Sequence, residues 1–135
     1  MRVFITGGTG LIGTLLVKAL LVQNHKITVL SRDVVKAKQK LGSDVEYCQS
    51  LDKLDSLDGY DVIINLAGES IAGKRCTTKQ KERMCDSRWD TTRRLTELIK
   101  LSNTPPSIFI SGSAVGYYGL QDDDAINENS EPGVG

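Results

Sequence analysis

Short solid apolar runs alternate along this chain with stretches in which apolar residues recur every three or four positions. The first run, Arg2–Thr6 (RVFIT), is β-branched and aromatic and ends against glycine, as a buried parallel strand does. Ile12, Leu15, Leu16, Ala19 and Leu20 then fall at helical spacing and predict a helix from about Leu11 to Gln23. Lys26–Leu30 (KITVL) reads as a second strand, and Asp33 is placed to cap a helix running to about Leu41, with Gly42 just past its end. A third strand is expected at Asp44–Cys48, then a helical turn carrying Leu51, Leu54 and Leu57 that Gly59 breaks. Asp61–Gly68 (DVIINLAG) is a continuous apolar strand closed by glycine. A long helix begins near Thr78, with Thr77 and Gln80 as its capping box and Leu95, Leu98 and Ile99 on its apolar face; Pro105 and Pro106 forbid its continuation. Ser107–Ser111 (SIFIS) is the fifth strand, and residues 120–135 lose all periodicity and read as a polar loop or frayed terminus. The alternation predicts one α/β domain over residues 1–135, a doubly wound parallel sheet with strands in the order 3-2-1-4-5.

Composition narrows the class further. At 135 residues the chain can bury one proper core, and 39% apolar with 25% charged residues describes an ordinary globular protein. Seventeen basic and seventeen acidic side chains cancel, so no global field draws in nucleic acid or an anionic membrane. No apolar run approaches bilayer length and Met1 leads almost directly into a strand, which sets the expectation of a cytoplasmic protein. Cys48, Cys76 and Cys85 are odd in number and lack C-x-x-C spacing, against both a disulfide framework and a zinc site.

The junction of the first strand and first helix carries the chemistry. Gly8, Gly10 and Gly13 spell G-x-G-x-x-G, whereas Gly7, Gly10 and Gly13 spell G-x-x-G-x-x-G; both patterns signal a Rossmann-type dinucleotide turn. Such a turn needs glycine where the chain bends, where the backbone approaches a pyrophosphate and where the helix packs on the strand, and the N–H groups of the following turn (Thr9, Gly10, Leu11, Ile12, Gly13) face the phosphates. The end of the second strand faces the adenosine ribose. NAD binders place an acid there; this chain has Ser31-Arg32, suited to a 2′-phosphate, so NADP(H) is expected in preference to NAD(H), with Lys36 a helper. The alternative is that Arg32 points into solvent. Leu66-Ala67-Gly68 closes the fourth strand at the carboxyl edge, where small residues let the adenosine approach the backbone.

TGGTGLIG, DVIINLAGE and ISGSAVGYYG, in this order and spacing, resemble the short-chain dehydrogenase/reductase superfamily, in its extended NAD(P)-dependent epimerase/dehydratase branch. That resemblance favours Gly7, Gly10 and Gly13 as the operating fingerprint. NLAGESIAGKR, KQKERMCDSRWDTTRRL and PPSIFISGSAVGYYG are similar to an atypical subgroup assigned as sugar-nucleotide epimerases, some labelled cell-division inhibitors. Cys76 stands where that subgroup usually has tryptophan. Its members are longer, so the resemblance implies an amino-terminal portion, with the C-terminal part of the fold and the substrate lobe missing. It also implies a small-molecule substrate such as a sugar nucleotide, and a homodimer in many members.

In that branch a Ser or Thr after the fifth strand hydrogen-bonds the substrate oxygen, and Ser113 matches the position; a turn serine is the equal alternative. The usual partner is Tyr-x-x-x-Lys, in which the ammonium helps lower the tyrosine pKa. Here Tyr47, Tyr60, Tyr117 and Tyr118 are followed four residues on by Leu51, Ile64, Gln121 and Asp122, so the base is either in the missing continuation or missing from the protein altogether. The basic residues of Lys74–Arg94 are interleaved with Glu82, Asp86 and Asp90 and read as a solvated, ion-paired face, with Trp89 the one aromatic for nucleic acid to stack on. Arg88 is set apart because its Ser-Arg belongs to the subgroup pattern, which places it near a cofactor phosphate. Two functions therefore stand: an NADP-dependent epimerase or reductase, or a non-catalytic NADP(H)-binding regulator.

Overall fold

The computed structural model describes residues 1–68, 78–112, 115–119 and 125–133. Its elements run β1 (Arg2–Thr6), α1 (Leu11–Val22), β2 (Lys26–Leu30), α2 (Val34–Leu41), β3 (Glu46–Cys48), a 3-10 turn (Leu51–Lys53), β4 (Val62–Asn65), α3 (Thr78–Leu101), β5 (Ile108–Ser111) and a second 3-10 turn (Val115–Tyr118). All five strands are parallel and lie in the order β3-β2-β1-β4-β5, as the alternation of patterns predicts. No helix among the described residues is long and apolar enough to cross a membrane.

Alternation along β1 divides the interior in two. Val3 and Ile5 join Ile27, Val29, Val62 and Ile64 on the face that α1 and α2 cover, with Val17 and Leu41 from those helices. Phe4 and Ile63 turn the other way, onto Leu51, Leu57 and the Leu95 and Leu98 of α3. Because β1 is paired on both sides, Val3, Phe4 and Ile5 are buried to within 1% of full enclosure, each contributing about 1.5–3 kcal/mol.

The helix following β1 is rotated from the face its leucines suggest. Gly13 and Val17 are its buried residues, with Leu16, Leu20 and Leu21 packed beside them, whereas Ile12 and Leu15 are 69% and 65% exposed. Gly13 sets this rotation: a Cβ there would meet the Cα of Gly8 at 2.7 Å, so the helix rests directly on the glycine turn. Asp33 does cap α2, accepting from the Lys36 N–H at 3.0 Å. The capping Thr77 expected for α3 and residues 120–124 lie outside the described residues.

β4 ends earlier than its apolar run. Leu66 N still donates to Thr6 O at 3.1 Å, but β1 turns away at Gly7, and the next rung runs from Ala67 N to the Thr6 hydroxyl, also 3.1 Å. A side chain thus replaces the carbonyl that a longer β1 would have offered.

Candidate functional site

The carboxyl ends of β1, β4 and β5 are held by a buried polar knot. The Thr6 hydroxyl donates to Asn65 Oδ1 at 2.6 Å, and Asn65 Nδ2 donates to Thr92 Oγ1 at 3.0 Å and Ser111 Oγ at 3.3 Å. Every polar atom of the Asn65 amide is thereby partnered, which locks the Leu66-Ala67-Gly68 turn against α3.

The glycine turn sits on this floor. Gly7 has φ 70°, a left-handed conformation that side chains rarely adopt, and a Cβ there would fall onto the Leu66 carbonyl. Gly8 faces the Val29 methyls, which a Cβ would meet at 2.9 Å. Gly10 N donates to Gly7 O at 2.9 Å, and a Cβ on Gly10 would meet only Gly7 O, at 3.2 Å. Steric need therefore falls on Gly7, Gly8 and Gly13, drawn from both overlapping fingerprints, while Gly10 keeps the open side of the turn bare. No side chain caps α1 at Gly10 and its first turn carries no acid, so its leading N–H groups and positive dipole end are directed at whatever enters.

An open crevice of about 950 Å³ lies in front of this turn. Of the residues the sequence singles out, Gly7, Thr9, Gly10, Ser31, Arg32, Leu66, Ala67 and Gly68 all line it, as does Lys36. Arg88 lies against its rim: a Cβ on Gly68 would meet the Arg88 guanidinium at 2.9 Å. Leu11, 85% exposed, and Ile12 stand at the first turn of α1 without lining the crevice, and Gly13 is buried beneath the turn. Ser113 lies outside the described residues.

Sequence reasoning missed the opposite wall. Gln49, Ser50, Leu51 and Asp52 follow β3, and Asp90, Thr91 and Arg94 come from α3. The first group was within reach, since the end of every parallel strand opens on the same edge as those of β2 and β4. Arg94 leaves the solvated face expected of it: it donates to Leu54 O at 3.4 Å and to Glu97, also at 3.4 Å, and its Nε lies 3.9 Å from Asp52.

Charge in the crevice is sorted by pairing. Lys36 is tied to Asp33 at 3.3 Å, and the Lys36 N–H, with that ammonium, holds the Asp33 carboxyl below its ordinary value of 3.8. Asp52 lies beside Arg94, and Asp90 beside Arg93. Arg32 has no carboxylate partner among the described residues. Lys40, on the last turn of α2, sends its ammonium across to Thr9 O at 2.6 Å. The ensemble is a concave site with an uncapped helix N-terminus at one end and cations at the other, which suits an elongated anion.

Known proteins share this fold. The chain is 37% identical over 134 residues to the epimerase family protein YfhF of Bacillus subtilis, covering 96% of this chain and 43% of that one. Its fold superposes on the crystal structure of human epimerase family protein SDR39U1 with NADPH at a TM-score of 0.81 and 30% identity, covering 98% of this chain and 43% of that one. A nucleoside-diphosphate sugar epimerase from Corynebacterium glutamicum gives a TM-score of 0.73 at 31% identity, over all of this chain and 27% of that one. The chain thus spans about half, or less, of the length of the relatives it matches. Residues 3–133 match the model of the NAD dependent epimerase/dehydratase family, and to that family the chain belongs.

Proposed function

We propose that this chain forms the NADP(H)-binding half of an epimerase or reductase acting on a sugar nucleotide or a similar small polar substrate. The observation that carries the cofactor reading is the pairing, across one crevice, of the uncapped α1 N-terminus with Arg32 after β2, which has no carboxylate partner among the described residues and whose neighbour Asp33 is committed to capping α2. The diphosphate would lie along Gly7–Gly13, the adenosine between Leu66–Gly68 and the segment after β3, and the 2′-phosphate against Ser31 and Arg32. Bound there, the cofactor supplies hydride transfer; the chain's own residues orient it and neutralise its phosphates. The NADPH in human SDR39U1 supports the choice of nucleotide, and the sugar-epimerase relative supports the substrate class.

Calorimetric titration of the full chain with NADPH and NADH tests this. NADPH is expected to bind at least about tenfold more tightly, and Arg32→Ala to erase the difference without weakening NADH. Tighter NADH binding by the unaltered protein would overturn the reading. Ser113, proposed to bond the substrate oxygen, is expected to lower kcat rather than cofactor affinity when changed to alanine. A second reading, a non-catalytic NADP(H)-binding regulator, rests on the likeness to the atypical subgroup; residues 1–135 carry no tyrosine followed four residues later by lysine. Epimerase or reductase turnover by the full chain would exclude it.

A further inference from the structure

α2 carries three lysines, and general physics gives the two in its last turn, Lys38 and Lys40, a plain task, since basic residues there complement the helix dipole. Lys40 departs from that task. Its Nζ leaves the helix and donates to the Thr9 carbonyl, 31 residues earlier, inside the glycine turn. The ammonium is therefore held at the crevice wall, against the turn that fits a diphosphate, in the same crevice that Ser31 and Arg32 line. Lys36, one turn earlier on the same side of α2, lines the crevice too, but its charge is engaged by Asp33 at 3.3 Å. Ala37, between them in sequence, is buried and lines the same crevice. Asp52, Asp90 and Asp33, the acids that line the crevice, each lie beside another cation, whereas Lys40 bonds only a neutral carbonyl among the described residues.

We infer that Lys40, rather than Lys36, is the second cation of the 2′-phosphate site and a specificity-determining residue for NADP(H). The inference rests on the NADP(H) reading above and adds to it a residue that the end of β2 does not reveal. A phosphate arriving beside Arg32 meets an ammonium already positioned by Thr9, with no ion pair to break first. Charge and tether are separable, because an arginine at position 40 keeps the cation while changing the geometry of the Thr9 bond.

The test is titration of the full chain and of its Lys40→Met, Lys40→Arg, Lys36→Met and Arg32→Ala variants with NADPH and with NADH. Lys40→Met is expected to weaken NADPH about tenfold and NADH less than about twofold, Lys40→Arg to restore most of the NADPH affinity, and Lys36→Met to change either by less than about twofold. Equal weakening of both nucleotides by Lys40→Met would make Lys40 a mere strut for the turn and overturn the inference. So would no change in either. If Arg32→Ala removes the NADPH preference while Lys40→Met leaves it whole, the NADP(H) reading stands and Lys40 alone falls. If the unaltered chain shows no NADPH preference, both fall together.

Discussion

Gly7 concentrates two demands in one residue: a left-handed backbone, and the Leu66 carbonyl in the place where a side chain would begin. Gly7→Ala is expected to lose about 3 kcal/mol, from the conformational penalty plus overpacking against rigid backbone, and to abolish nucleotide binding with it. Urea denaturation and calorimetry of the same variant check the two parts. This glycine was legible in the sequence because both fingerprints call for a turn directly after β1. Gly8 was legible too, as the head of the other fingerprint, but the reason for it was not. Its need for a bare Cα comes from Val29 in the neighbouring strand, a contact that no local pattern announces. The same holds for Lys40, whose partner is set by how α2 lies beside the turn.

At the scale of elements, the approach to β4 is clamped to the end of α3. Leu57 N donates to Ser102 Oγ at 2.8 Å, and the Asp58 carboxylate accepts from Thr104 N at 2.7 Å, Thr104 Oγ1 at 3.0 Å and Ser56 Oγ at 2.9 Å. The Thr104 N–H, foremost among these donors, holds the Asp58 carboxyl below its ordinary value of 3.8. A carboxyl whose folded pKa is depressed stabilises the fold fully above the unfolded value and loses that contribution as pH falls through the folded one. Asp58→Asn is therefore expected to lower the urea midpoint at pH 7, with the gap from the unaltered protein closing as the pH drops below 3.8. A gap independent of pH would show that the carboxylate charge adds nothing. Element boundaries were the least legible feature. The leucines of α1 advertise a face one residue away from the buried one, because Gly13 sets the rotation and a glycine carries no hydrophobic signal. β4 stops at Asn65, three residues before the Gly68 end of its apolar run, because its partner β1 has already turned away.

For the whole molecule, the strand order followed from the alternation of patterns alone, since right-handed crossovers leave few other ways to cover both faces of a parallel sheet. The near side of the crevice was legible by the same topology, which puts the ends of β1, β2 and β4 on one edge. On its far wall the segment after β3 follows from the same rule, whereas Asp90, Thr91 and Arg94 do not, because they depend on which way α3 is rotated about its axis. One contact named above joins the crevice to the interior. Val29 is fully enclosed and its two methyls lie where residue 8 would carry its first carbon. Gly8→Ala alone is expected to cost about 2 kcal/mol, yet in a Val29→Ala background much of that cost should vanish, a coupling of about 1 kcal/mol or more in a double-mutant cycle. Strict additivity would refute it. The two positions behave as a keyed pair, so a lineage seeking a bulkier nucleotide loop must trim the second strand before it can widen the first turn.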